Sequence, residues 1–138
     1  MVNMSQPLPS ENSPHPPSRK MLWAGRIMRA LPVLMLLFSA GMKLVKAAPV
    51  LESFARFGYP ESVAVGIGVV ELLCVALYVL PRTSVLGAIL LTGYLGGAIA
   101  THVRIGEPFV GPLLLGLLIW GGLYLREARL PELIPLRR

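Results

Sequence analysis

Cysteine, histidine and charge are all scarce in this chain. Cys74 is the only cysteine, and His15 and His102 are the only histidines, among 138 residues. One thiol allows no internal disulfide, no Cys-x-x-Cys redox pair and no iron–sulfur frame. Two histidines, one of them in a polar leader, suit neither a bis-histidine haem nor a zinc site. Any cofactor must be held without such ligands or belong to a partner. Charged residues are 14% of the sequence, against about 25% in an ordinary soluble domain. Hydrophobic residues are 54%, and the mean hydropathy is +0.66. That balance leaves too little polar surface for a water-soluble globule, so soluble enzyme, secreted scaffold and nucleic-acid module all fit poorly. The net charge of +6 is expected at a membrane surface rather than on nucleic acid.

What is present falls into two composition classes. Residues 1–22 are polar, with Pro7, Pro9, Pro14, Pro16 and Pro17 and almost no aliphatic side chains. Such a segment buries too little apolar surface to offset ordering, which predicts a disordered tail. A start at Met21 would remove it without loss to the apolar spans. The apolar run Ala30 to Ala40 comes after four cations like a signal peptide, but the long leader and the lack of a small-x-small site before Lys43 argue against cleavage.

Residues 23–138 form the second class, a membrane domain with four apolar spans at about 27–45, 62–80, 84–101 and 109–125. As helices these measure roughly 25 to 29 Å, near the thickness of a bilayer core. Pro60, Pro81 and Pro108 punctuate their ends. The turn Pro81-Arg82-Thr83 makes spans two and three antiparallel neighbours, and His102 to Pro108 ties span three to span four. The fold expected is an all-α membrane protein, a four-transmembrane-helix bundle running up-down-up-down. Between spans one and two, Val50, Leu51, Phe54 and Phe57 recur at helical spacing, with Glu52 and Arg56 opposite, the pattern of a short interfacial helix closed by Gly58-Tyr59-Pro60. An ordinary apolar loop is the alternative. With both ends on one side, that side holds nine lysines and arginines against four, which predicts cytoplasmic termini. Trp23, Tyr78, Trp120 and Tyr124 then mark the inner interface, and Phe57, Tyr59 and Phe109 the outer one.

Glu71 carries the most information. It sits at the centre of span two, where an isolated charge costs about 3 kcal/mol on insertion scales. It therefore needs a partner, a proton or a water-filled cavity. Its helical stripe, Ala64, Gly68, Glu71, Cys74 and Tyr78, is small or polar and belongs inside the bundle. The alternative to a ligand or proton site is a buried hydrogen-bonding residue that fixes helix register. Lys43, at the end of a first span whose uncharged stretch is short, either snorkels or turns inward, about 10 Å outward of Glu71. Thr92 and Tyr94 lie near the middle of span three, where a hydroxyl could reach the carboxyl. Lys43, Thr101, His102 and Arg104 gather in the outer half above that carboxyl floor. A cavity there could take a polar head group with its apolar tail among the helices, as a quinone or lipid would lie. For His102 and Arg104, simple interfacial anchoring is the alternative. Gly41, Gly68, Gly87, Gly93 and Gly97 are expected to let helix backbones approach, within the bundle or between subunits, with Gly111, Gly116, Gly121 and Gly122 facing span three.

The segments Phe38 to Leu44, Phe57 to Pro60, Ile67 to Leu72, Leu86 to Ala88, Gly93 to Ala98, Thr101-His102 and Leu123 to Pro135 resemble the DoxX-like membrane proteins. The resemblance runs from about Leu31 to Pro135 and leaves the Pro-rich leader outside. It implies a four-helix protein of the bacterial cytoplasmic (inner) membrane. Founding members are small subunits of a quinone-reducing, sulfur-oxidising complex, other relatives accompany redox complexes that handle oxidative stress, and more distant ones help assemble membrane proteins. The family offers no agreed catalytic set, but its recurrent positions correspond here to Gly41, Lys43, Glu71, Gly97 and His102. The function expected is a non-catalytic accessory subunit of a membrane redox assembly, not an enzyme on its own. It would have no intrinsic cofactor, with quinone as the candidate ligand. Its expected partners are the lipid bilayer, redox-complex subunits and further copies of the chain, not nucleic acid. The rival reading is an assembly factor or scaffold without a redox role. A proton or small-solute carrier fits less well, because four spans without internal repeats make a poor monomeric transporter.

Overall fold

The computed structural model describes residues 18–127, 129 and 130. They form five helices: α1 (Arg19–Leu44), α2 (Ala48–Phe57), α3 (Val63–Val79), α4 (Ser84–Arg104) and α5 (Val110–Arg126). Among the described residues there is no strand. Helix α1 starts inside the segment expected to be a tail: the Ser18 hydroxyl accepts a hydrogen bond from the Met21 amide and caps it. Residues 1–17 lie outside the described residues.

Local chemistry sets the other boundaries. Pro49 opens the first turn of α2, and Gly58, at φ 78°, supplies the left-handed residue that ends it. The segment with mixed apolar and charged faces is therefore a helix and not a loop. Leu80 turns extended ahead of Pro81, and the Thr83 hydroxyl donates to the Leu77 carbonyl, 2.8 Å away, fastening the turn between α3 and α4. Helix α4 continues to Arg104, so Thr101, His102 and Arg104 ride on its last turns rather than in a connecting loop.

Helix α1 packs on α3 and α5, and α4 packs on α3 and α5, so the four longer helices close a ring of neighbours. Its centre holds Leu36, Val75, Tyr78, Leu91, Ile119 and Leu123. On α3 the stripe Ala64, Gly68, Glu71, Cys74 and Tyr78 is buried, while Val65, Val69, Val70, Leu72 and Leu73 face outward. The same inversion holds on α1, where Leu34 and Phe38 are 64% and 71% exposed. A shell of large aliphatic side chains around a small and polar interior suits a lipid solvent rather than water. Helices α1 and α4 are long and apolar enough to cross a membrane, and α3 and α5 are apolar helices of 17 residues, about 26 Å each.

Three expectations need correction. Tyr78 is not an interface marker: it is 3% exposed and its hydroxyl donates to the Ile119 carbonyl at 2.9 Å. The phenol lies on the same stripe as Glu71, seven residues earlier, and follows it inward. The glycines divide. At Gly87 a Cβ would stand 2.2 Å from the Tyr78 amide nitrogen, so α3 and α4 meet there backbone to backbone. At Gly41, Gly93 and Gly97 it would meet nothing within 4 Å, so for those three the close approach expected within the bundle is absent and the one between subunits is left. Gly121 and Gly122 face Met28 and Arg29 of α1, not α4.

Candidate functional site

Glu71 is 1% exposed, and its partner is Lys43. The Lys43 ammonium donates to Glu71 Oε2 at 2.7 Å and to the Ser39 hydroxyl oxygen at 2.5 Å, and Ser39 in turn donates to the same carboxyl oxygen at 3.4 Å. Gly68 makes this reach possible. A Cβ there would lie 2.9 Å from Lys43 Cβ and 3.2 Å from the Ala40 carbonyl, so α1 rests directly on α3 one turn before Glu71. The lysine stem then covers the offset along the helices to the carboxyl.

The pair borders a cavity of about 460 Å³ that Lys43, Glu71, Tyr94, Thr101 and His102 share. The rest of its wall is mainly apolar, with Leu36, Phe54, Phe57, Leu95 and Leu115 among the lining residues. Lys43 Nζ lies 5.9 Å from the centroid of the Tyr94 ring, within range of a cation–π attraction. His102 donates from Nδ1 to the Ala98 carbonyl at 2.7 Å, which leaves Nε2 for another partner. Its ring packs on Phe57, centroids 5.1 Å apart.

Two nominated residues stand elsewhere. Thr92 donates to the Ala88 carbonyl and accepts from the Trp120 indole, at 2.7 and 2.8 Å, and does not meet Glu71. Two residues along a helix is a rotation of about 200°, so Thr92 and Tyr94 cannot both face the carboxyl. The same rotation takes Arg104 off the face that carries His102. Arg104 instead donates to the Phe57 carbonyl at the end of α2 and lies over the Tyr59 ring.

Arg104 thus helps fasten α2, whose Phe54 and Phe57 form part of the cavity wall. Thr101 donates to the Gly97 carbonyl, so its oxygen accepts from the Tyr59 hydroxyl at 3.1 Å. Arg56 pairs with Glu107 at 3.0 Å. Ser39, Phe54 and Tyr59 were not singled out as site residues from the sequence. Ser39 was within reach of such reasoning, because it precedes Lys43 by one helical turn.

Apolar helices that turn a buried ion pair inward and their aliphatic side chains outward define a helical membrane protein. The DoxX-like family model matches residues 27–122. The match spans more than half of the chain, and the chain belongs to that family. Of the five positions that the resemblance singles out, Lys43, Glu71, Gly97 and His102 line the cavity and Gly41 does not. No curated protein and no solved structure matches the chain.

Proposed function

We propose that this chain is a multi-pass protein of the bacterial cytoplasmic membrane, a four-helix up-down-up-down bundle with cytoplasmic termini. In this reading it is a non-catalytic accessory subunit of a membrane redox assembly, and its cavity receives the head group of a quinone or lipid. The observation that carries the proposal is the Lys43–Glu71 pair on the wall of a mainly apolar cavity of about 460 Å³, within the size range of small-molecule sites. Two of the three Lys43 N–H groups have partners in the chain, and the third can donate to a quinone carbonyl. His102 Nε2 can accept from a hydroquinone hydroxyl. Aliphatic and aromatic walls suit the isoprenoid or acyl tail. Electrons would come from partner subunits, which the open Gly93 surface of α4 could meet.

The experiment is extraction in mild detergent with mass spectrometry of co-purifying quinones, lipids and proteins. Near-stoichiometric quinone, lost in a folded Glu71→Gln variant, supports the reading. Quinone and partner activity both unchanged in that variant refutes the site. The rival, an assembly factor or scaffold, is favoured by one observation: every buried side-chain nitrogen and oxygen among the described residues already has a hydrogen-bond partner. A polar core of that kind can set helix register without holding any ligand. Protein clients recovered without quinone would support it.

A further inference from the structure

At the end of α1 away from Lys43 lies a second cleft, of about 270 Å³, where α1, α3 and α5 meet. Three arginines line it: from α1, Arg29 and Arg26, whose guanidinium lies 5.7 Å from the Trp23 ring centroid, and from the last turn of α5, Arg126. Among the described residues none of the three is in an ion pair with a carboxylate. Like charges gathered in one cleft repel, and a bound anion relieves that repulsion.

Arg29 is built into the cleft rather than waving into solvent. A Cβ at Gly122 would stand 2.7 Å from Arg29 Cγ and 3.3 Å from the Tyr78 hydroxyl. The missing side chain is therefore what lets the arginine stem lie against α5. Arg29 Nε donates to the Gly25 carbonyl at 3.3 Å, which leaves both terminal nitrogens of the fork to donate elsewhere. The lining of α1 then changes character within two turns: Arg26 and Arg29 give way to Ala30 and Val33 on the same face. A cleft lined by three arginines beside an apolar track matches an amphiphile whose head is an anion.

We propose that this cleft binds the phosphate of an anionic phospholipid, with an acyl chain lying along Ala30 and Val33. Guanidinium forks match phosphate oxygens in pairs, which a single ammonium cannot do, and basic pockets between membrane helices hold anionic head groups in this way. The site is separate from the Lys43–Glu71 cavity and does not depend on what that cavity holds.

The test is native mass spectrometry of the full chain, delipidated in an uncharged detergent and titrated with short-chain phosphatidylglycerol, phosphatidylcholine or inorganic phosphate. Phosphatidylglycerol is expected to bind about tenfold or more tightly than phosphatidylcholine. The combined Arg26→Gln, Arg29→Gln and Arg126→Gln variant should lose that preference, whereas Arg82→Gln, in the turn between α3 and α4 outside the cleft, should keep it. If the triple variant does not fold, Arg126→Gln alone should weaken the preference and Arg126→Lys should restore part of it. An unchanged preference in the cleft variants overturns the proposal. Displacement of the lipid by inorganic phosphate at equal concentration also overturns it, by assigning the cleft to a free anion.

Discussion

Removing one member of the Lys43–Glu71 pair should destabilise the protein far more than removing both. At 2.7 Å the attraction is about 6 kcal/mol for an effective dielectric of about 20. Desolvating two ions in the interior costs several kcal/mol each, so the net contribution of the intact pair is small. Glu71→Leu leaves the ammonium, whose side chain is 13% exposed, with Ser39 as its only polar partner among the described residues. The expected cost is about 3 to 5 kcal/mol. Lys43→Met strands the carboxylate and should cost a similar amount. The double variant Lys43→Met with Glu71→Leu should return to within about 1 kcal/mol of the parent, because both charges leave and apolar volume replaces them. Reversible unfolding by sodium dodecyl sulfate in mixed micelles, monitored by the fluorescence of Trp23 and Trp120, reads all four states. Single variants within about 1 kcal/mol of the parent, or a double variant as unstable as the sum of the singles, would refute a coupled buried pair.

The packing sets three further outcomes. Gly87→Ala should cost about 3 kcal/mol or more in the same unfolding assay, because its Cβ meets Tyr78 backbone; Gly93→Ala, with nothing within 4 Å, should be neutral or gain up to about 1 kcal/mol of helix propensity. Tyr78→Phe removes the hydrogen bond to the Ile119 carbonyl and should cost about 1 to 3 kcal/mol, since the buried carbonyl loses its donor from that side. Arg104→Gln loosens the hold on the Phe57 carbonyl, so amide exchange measured by mass spectrometry should speed up over residues 54–59 by roughly tenfold, with no change on α5.

The features legible in the sequence were those fixed by strong local terms. Proline and glycine positions delimited the helices, and the cost of an intramembrane charge singled out Glu71 and turned its stripe inward. For Lys43 the short uncharged part of the first span leaves snorkelling and an inward turn open, and the structure shows the inward turn. Choices among equivalent faces were less accessible. Thr92 and Tyr94 are equally polar and nearly level, and only the rotation of α4 against α3 decides which one joins the cavity. Glycines are alike in composition, yet Gly87 touches backbone while Gly93 faces open space. That difference comes from where neighbouring helices cross, which no single segment encodes. Arg104 stands at the expected end of α4 but outside the cavity lining. Its contact with α2 depends on a carbonyl 47 residues away in sequence.

In the proposed function the head group of a quinone or lipid sits beside Lys43 and Glu71, with quinone the first candidate. A photoreactive short-chain quinone analogue, crosslinked to the purified full chain and mapped by peptide mass spectrometry, tests it directly. Labelling confined to the cavity-lining residues around Ser39 to Lys43, Phe54 to Tyr59, Ile67 to Glu71 and Leu95 to His102, suppressed by excess unlabelled quinone and lost in Glu71→Gln, is the result expected. Label spread over the lipid-facing residues of α1 and α5, indifferent to both competitor and variant, would contradict it.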